Sequence, residues 1–107
     1  MTSARAAVAV GPLGGSDRAR WEQLARGYKA FYQTDLPQER YDATWRVLIA
    51  DDRVHGLAAR LDGRLAGIAH YLFHAQTWSS DCCYLQDLFT AEEARGKGVA
   101  TALVDAV

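Results

Sequence analysis

The sequence predicts a mixed α/β domain, a mainly antiparallel sheet flanked by helices, built as one unit over residues 1–107. Three observations lead there. The first half holds two stretches whose apolar residues recur at helical spacing. From His55 the period shortens to alternation, around an Asp62-Gly63 pair of the kind that closes a two-residue hairpin. After a further apolar run, a stretch with two glycines opens a last helical pattern. The order is strand, two helices, three strands, helix.

Ala4 to Val10 reads as the first strand, ended by the breaker cluster GPLGGS. Ser16 or Asp17 then caps a helix whose Trp21, Leu24, Tyr28, Phe31 and Tyr32 fall along one face. Pro37 suits the first turn of a second helix, where a missing N–H costs little. That helix lines up Tyr41, Trp45, Leu48 and Ile49. Leu57, Ala59 and Leu61 alternate with their neighbours, Asp62-Gly63 turns the chain, and Arg64 to His74 forms the returning strand. AQTWSSD reads as a loop and Cys82 to Phe89 as another strand. TAEEARGKG leads into a helix with Val99, Ala102, Leu103, Ala106 and Val107 on one side.

A chain of 107 residues can bury one core and has no room for two. Twelve basic and thirteen acidic side chains give a net charge of −1, which offers no broad attraction to nucleic acid or to an anionic membrane. No run is long enough to span a bilayer. Ala6 to Val10 is too short for the apolar region of a secretory leader and has only Arg5 before it, so a cytoplasmic location is expected. No metal is expected either. Cys82 and Cys83 are adjacent and would point to opposite faces of a strand. His70 and His74 share a face but stand about 13 Å apart. For both histidines a hydrogen-bonded or solvated ring is the expectation, with His74 placed where it could face a cleft.

The chemistry concentrates at Arg95 to Ala100. A helix N-terminus presents unpaired N–H groups and the positive end of the dipole, and both suit a phosphate. Gly96 and Gly98 let phosphate oxygens approach the backbone without a Cβ in the way. Arg95 and Lys97 add positive charge. A plain strand-to-helix turn explains the same glycines, and physical reasoning alone leaves the two level. GKG lacks the Lys-Ser or Lys-Thr of a Walker A loop. The dinucleotide fingerprint fails as well, lacking its third glycine.

Arg95-x-x-Gly98-x-Ala100 resembles the Gln/Arg-x-x-Gly-x-Gly/Ala signature of the GNAT N-acetyltransferase superfamily. The stretch YLQDLFTAEEARGKGVATALV resembles that family's fourth strand, loop and third helix. YLFHAQTWSSDCCYLQDLF is similar to spermidine/spermine-type acetyltransferases, and GYKAFYQTDLP resembles small amino-group enzymes described as histone-acetyltransferase-related. The resemblance covers the whole chain in layout and is specific mainly from Leu65 to Val107. It implies acetyl-CoA as co-substrate, with the pyrophosphate on the amides of Arg95, Gly96, Lys97, Gly98, Val99 and Ala100. The pantetheine arm would pair with the main chain of Leu88, Phe89 and Thr90, freed by a bulge and splay. The Leu88 N–H would polarise the thioester carbonyl. The amine of a small molecule or peptide would attack directly.

The family pattern is broken at two points. Gln86 stands where polyamine enzymes carry the glutamate base, and an amide cannot take up a proton at physiological pH. Asp87 is the neighbouring substitute, but alternation would turn it to the opposite face unless a local bulge re-aims it. Its expected role is structural or substrate-orienting. Gln76 replaces an acidic residue before Trp78, and losing both carboxylates disfavours a polycation relative to a monoamine or amino-acid-like amine. Trp78 would wall the substrate site or anchor its loop. Asp35, Glu39, Tyr32 and Tyr41 lie where such substrates enter, although each is also explained as part of a packed helix junction. The family's domain continues with a further strand and a helix bearing a tyrosine acid. By that resemblance the chain is C-terminally incomplete and its stripe of Val99, Leu103 and Val107 is partly uncovered, so that either the sequence is a truncated or partial one or a partner chain, as in a homodimer, completes the sheet. A non-catalytic acyl-CoA-binding module and a purely structural fragment are the competing readings.

Overall fold

The computed structural model describes residues 8–78 and 80–107. Strands β1 (Val8–Pro12), β2 (His55–Leu61), β3 (Arg64–His74) and β4 (Cys82–Thr90) form one sheet in that order, with every neighbouring pair antiparallel. Between β1 and β2 the chain makes helices α1 (Arg18–Phe31) and α2 (Gln38–Ala50), and after β4 it makes α3 (Val99–Ala106). Side chains alternate across a sheet, so His70 and Gly67 of β3 look to opposite faces. Trp21 of α1 bonds to His70, and the Trp45 ring of α2 lies 5.1 Å from that of Trp21. Val99 and Leu103 of α3 sit over Gly67 on the other side. The sheet is thus sandwiched between α1 with α2 and α3.

Turn chemistry closes the central hairpin as the sequence predicts. Leu61 pairs with Arg64, and Asp62 and Gly63 both take positive φ, at 53° and 84°. That is the requirement of the mirror-image turn that matches strand twist. The end of β1 differs from expectation. Gly11 and Pro12 continue the strand, opposite Ala58 and Leu57, instead of ending it. A proline is tolerated on an outer strand, where its missing N–H can face away from the ladder. Ala4 to Ala7 lie outside the described residues.

The core holds Trp21, Leu24, Tyr41, Trp45, Leu48, Ile68, Val99 and Leu103. Two expected apolar faces stop short. Phe31 and Tyr32 are exposed because α1 crosses from β3, at Trp21 and His70, to the outer strand β4, at Tyr28 and Phe89. Its last turn therefore has no strand beneath it. Ile49 is exposed too, turned away from the face that Tyr41, Trp45 and Leu48 share. The expectation of a partly uncovered α3 stripe holds at Val107, which is half-buried, and is corrected at Val99 and Leu103. Val99 is 1% and Leu103 0% exposed, because the bare backbone of Gly67 lets the helix settle on the sheet.

Asp17 ends a short 3₁₀ turn and is buried, where it accepts two hydrogen bonds from Arg60 at 2.8 and 2.7 Å and one from the Gly14 N–H at 2.8 Å. This clamps the entry to α1 onto β2. Cys82 and Cys83 are free thiols. Among the described residues no group of three or more metal-ligating side chains converges, and no helix is long and apolar enough to cross a membrane.

Candidate active site

The site is organised by one irregularity in β4. His70 pairs with Asp87 and Tyr71 pairs with Leu85, so Gln86 is an extra residue with no partner on β3. Such a bulge bends the strand and re-aims its side chains. Gln86 and Asp87, which strict alternation would separate, both line a cleft of about 540 Å³ between the sheet and the α1–α2 pair. Tyr28 and Lys29 of α1, Arg40 and Thr44 of α2, and Phe89 line it with them. Among the described residues, Asp87 is the one carboxylate lining that cleft.

A hydrogen-bonded chain holds that carboxylate in place. The Trp21 indole N–H donates to His70 Nε2 at 3.0 Å, and His70 Nδ1 lies 3.0 Å from Asp87 Oδ2. An indole can only donate, so Nε2 accepts, and the imidazole proton resides on Nδ1, aimed at Asp87. His70 is buried and Asp87 partly exposed, so the chain runs from the core to the cleft wall. The hydrogen bond from His70 holds the Asp87 carboxyl below the usual carboxylate range against the opposing effect of burial, helped by Lys29 and the Tyr28 hydroxyl. The Tyr28 hydroxyl is pushed up, first by burial and then by the charge on Asp87.

The far side of β4 is the open edge of the described sheet. The Ala91 N–H donates to the Ala66 carbonyl at 2.7 Å. In an antiparallel ladder paired and unpaired residues alternate, so counting back from that bond engages Phe89 with β3. The main-chain N–H and C=O of Leu88 and Thr90 consequently turn to the open edge. Of the three residues expected to pair with a pantetheine arm, Phe89 is the one whose own main chain is taken. It contributes its ring, 5.7 Å from that of Tyr28.

Below that edge lies the glycine-bearing loop. Gly96 and Gly98 have φ of 80° and 82°, the left-handed region that favours glycine. No atom stands within 4 Å of a Cβ built on either, so their requirement is conformational, with open space above them. The first helical bond of α3 runs from the Ala102 N–H to the Gly98 carbonyl at 3.0 Å, leaving the amides of Val99, Ala100 and Thr101 without a helical partner. Arg95, Gly96, Lys97, Gly98 and Ala100 are exposed, whereas the Val99 side chain is core and only its amide faces this space.

The remaining candidates lie apart. Trp78 is 94% exposed, and neither it nor Gln76 lines the cleft. Asp35 lines a separate recess of about 390 Å³ beside Arg26 and Tyr41. Tyr32 is exposed and reaches the cleft only through edge contact with Tyr28, at 5.2 Å between centroids. Sequence reasoning passed over Lys29 and Arg40, and expected of His70 only the hydrogen-bonded or solvated ring, of which the structure shows the first. The signal for His70 was its position on β3 opposite the YLQD segment, obscured by the one-residue shift at Gln86.

Comparison with known proteins adds the following. The chain matches the acetyltransferase (GNAT) family model over residues 21–107. It is 33% identical over 95 residues to D-amino-acid N-acetyltransferase HPA3 of Saccharomyces cerevisiae, covering 85% of this chain and 59% of that protein. The chain therefore spans less than two thirds of that relative. Among solved structures, it is similar to ribosomal-protein-alanine N-acetyltransferase from Brucella melitensis biovar Abortus 2308, with TM-score 0.77 and 25% identity over 94% of this chain and 68% of that one. The fold is also shared with aminoglycoside N-acetyltransferase AAC(6′)-Iy, solved in complex with CoA, with TM-score 0.78 and 20% identity over 99% of this chain and 70% of that one.

Proposed function

The chain belongs to the GNAT acetyltransferase family, and on that premise we propose that it moves an acetyl group from acetyl-CoA to the primary amine of a small molecule or peptide. The observation that carries this reading is the bulge at Gln86. It sets a carboxylate in a cleft on one side of β4 and free main-chain groups along the other. The residues present suit acetyl-CoA. The outward main chain of Leu88 and Thr90 can take an extended amide-bearing arm as an added strand. The amides from Gly96 to Ala100, with Arg95 and Lys97, can hold a pyrophosphate at a helix N-terminus. When bound, acetyl-CoA would supply an activated acetyl group and a thiolate leaving group.

Each residue then has a limited task. The Leu88 N–H is a fixed donor for the thioester oxygen as negative charge develops on it, a kind of contact typically worth about 3 kcal/mol. Asp87, kept ionised by His70, attracts the substrate ammonium and orients its nitrogen. A carboxyl with a lowered pKa is a weak base, so its contribution is placement more than proton removal: the ammonium gives its proton to water before the neutral amine attacks, and the second N–H proton, lost as the amide forms, reaches the departing thiolate through water. Gln86 can hydrogen-bond the same amine. The activity named for the yeast relative supports an amine of the amino-acid type.

Amide NMR and thiol release test the reading with the chain itself. Acetyl-CoA is expected to shift the resonances of Leu88, Thr90 and Gly96 to Ala100, and a panel of amines to release free CoA thiol. Unmoved resonances in that loop would overturn the acetyl-CoA site. Binding without thiol release on any amine would identify a non-catalytic acyl-CoA-binding module.

A further inference from the structure

The cleft contains more charge than an amine alone requires. Beside Asp87 it is lined by two cations, Lys29 at the C-terminal end of α1 and Arg40 in the first turn of α2. Among the described residues, the other arginines of these helices are ion-paired except Arg46, which does not line the cleft. Arg18 is paired with Glu22 and Asp42, Arg20 with Glu93, and Arg26 with Glu22. Among the described residues, neither Lys29 nor Arg40 has a carboxylate within ion-pair distance. The Lys29 ammonium rests 5.7 Å from the Tyr28 ring centroid, and Arg40 is exposed at the cleft margin. Thus one wall, from β4, presents a carboxylate held by a buried histidine, and the facing helices present two uncommitted cations.

We propose that the cleft reads a substrate carrying both an ammonium and a carboxylate, with Asp87 facing the ammonium and Arg40, seconded by Lys29, facing the carboxylate. This rests on the acetyltransferase reading for what happens to the amine, and it extends that reading to how the acceptor is chosen. Arg40 offers planar, forked donors that match a carboxylate two-to-two, whereas Lys29 offers a point charge and also supports Asp87. The aromatic and aliphatic remainder of the lining, including Tyr41, Val47 and Leu48, suits an apolar side chain branching from between the two charged groups into the cleft. An amine without a carboxylate would leave both cations unanswered in the complex, which disfavours its binding relative to the amino acid.

The experiment compares phenylalanine, as each enantiomer, with phenylalaninamide. They share the amine and side chain and differ in the carboxylate. Free-thiol release gives kcat/KM, and calorimetric titration in the presence of CoA gives Kd. The amino acid is expected to exceed its amide roughly tenfold in kcat/KM, about the effect of one charge-assisted contact. Arg40→Gln should lower the ratio of amino acid to amide roughly tenfold, mainly through KM. Lys29→Gln should lower it less, and circular dichroism checks that both variants fold. A wild-type ratio near one, or an Arg40→Gln variant that leaves the ratio unchanged, overturns the proposal while acetyl transfer stands. Conversely, if no thiol is released but Arg40 still governs phenylalanine affinity, acetyl transfer falls and the cleft assignment stands.

Discussion

Gly67 is where stability and the proposed acetyl-CoA site meet, and Gly67→Ala is the sharpest perturbation available. A Cβ at this position would lie 2.5 Å from Val99 Cγ1, 3.1 Å from Leu103 Cδ1 and 3.2 Å from the Phe89 carbonyl oxygen. Carbon atoms pack comfortably at 3.5 Å or more, so about 1 Å must be recovered. Val99 is β-branched and has one strongly preferred rotamer in a helix, so it cannot swing aside cheaply. The Phe89 oxygen blocks retreat toward β4. Hence α3 itself must rise from the sheet. Overpacking of this kind costs about 2 kcal/mol, which for a domain of this size lowers Tm by roughly 8 to 16 °C. Because Val99 directly follows Gly98, the shift also moves the helix N-terminal amides, and acetyl-CoA affinity should fall with stability.

Two controls make the inference refutable by thermal and chemical denaturation. At Gly56 an added Cβ would also meet an atom at 2.5 Å, but that atom is Leu13 Cδ1, the tip of a flexible, half-buried side chain. Gly56→Ala should therefore cost clearly less than Gly67→Ala, although the nearest distance is the same. Combining Gly67→Ala with Val99→Ala removes the colliding methyl groups. The double variant should be less destabilised than the sum of the singles by about 1 kcal/mol or more. Additive effects, or equal costs at the two glycines, would show that the contact with Val99 does not set the position of α3.

Two further outcomes follow from the buried polar contacts. His70→Leu removes the donor to Asp87 and the acceptor for the Trp21 indole, so carboxyl ¹³C titration should find Asp87 moved up toward the ordinary carboxylate range; an unmoved Asp87 would mean that His70 does not hold it. The Asp17 carboxyl is held low first by its hydrogen bonds from Arg60, so its contribution is present above the unfolded pKa and is lost as pH falls through the folded one. Asp17→Asn should accordingly cost about 2 kcal/mol at pH 7, a figure kept modest because Arg60 is one-third exposed, and the gap from wild type should close under acid denaturation conditions. A gap independent of pH would refute that assignment.

The parts of the fold set by local chemistry were legible in the sequence. The Asp62-Gly63 turn and the bounds of β3 follow from backbone preference and alternation, which need no knowledge of distant residues. The glycine loop was legible for the same reason, since Gly98 occupies a left-handed cap immediately before Val99. Properties set by what lies opposite were not legible. Phe31 and Tyr32 have the spacing of a buried face, yet they overhang the last strand. Val99 and Leu103 of the α3 stripe are buried because of one glycine on β3, thirty-two residues before Val99 in the chain. The charges of Lys29 and Arg40 belong to separate helices and acquire a common target only when both pack on one side of Asp87.

The bulge shows most clearly how one residue can decide several of these properties together. A regular hairpin starting from the His74–Cys82 pair would set Gln86 opposite His70 and Leu88 opposite Ile68. Asp87 would then look toward the α3 face, away from the cleft. His70 would meet an amide instead of a carboxylate, and the cleft would have no anion to face an ammonium. The same shift would reverse the ladder downstream, directing the Leu88 N–H into β3 and leaving Phe89 to face the open edge. Inserting Gln86 as the unpaired residue corrects both orientations at once. That places the demand on position 86 in backbone conformation, where a bulge tolerates an amide as readily as an acid. Loss of the carboxylate at Gln86 is thus compatible with a working strand, provided Asp87, buttressed from the core through His70 and Trp21, carries the charge that the cleft requires.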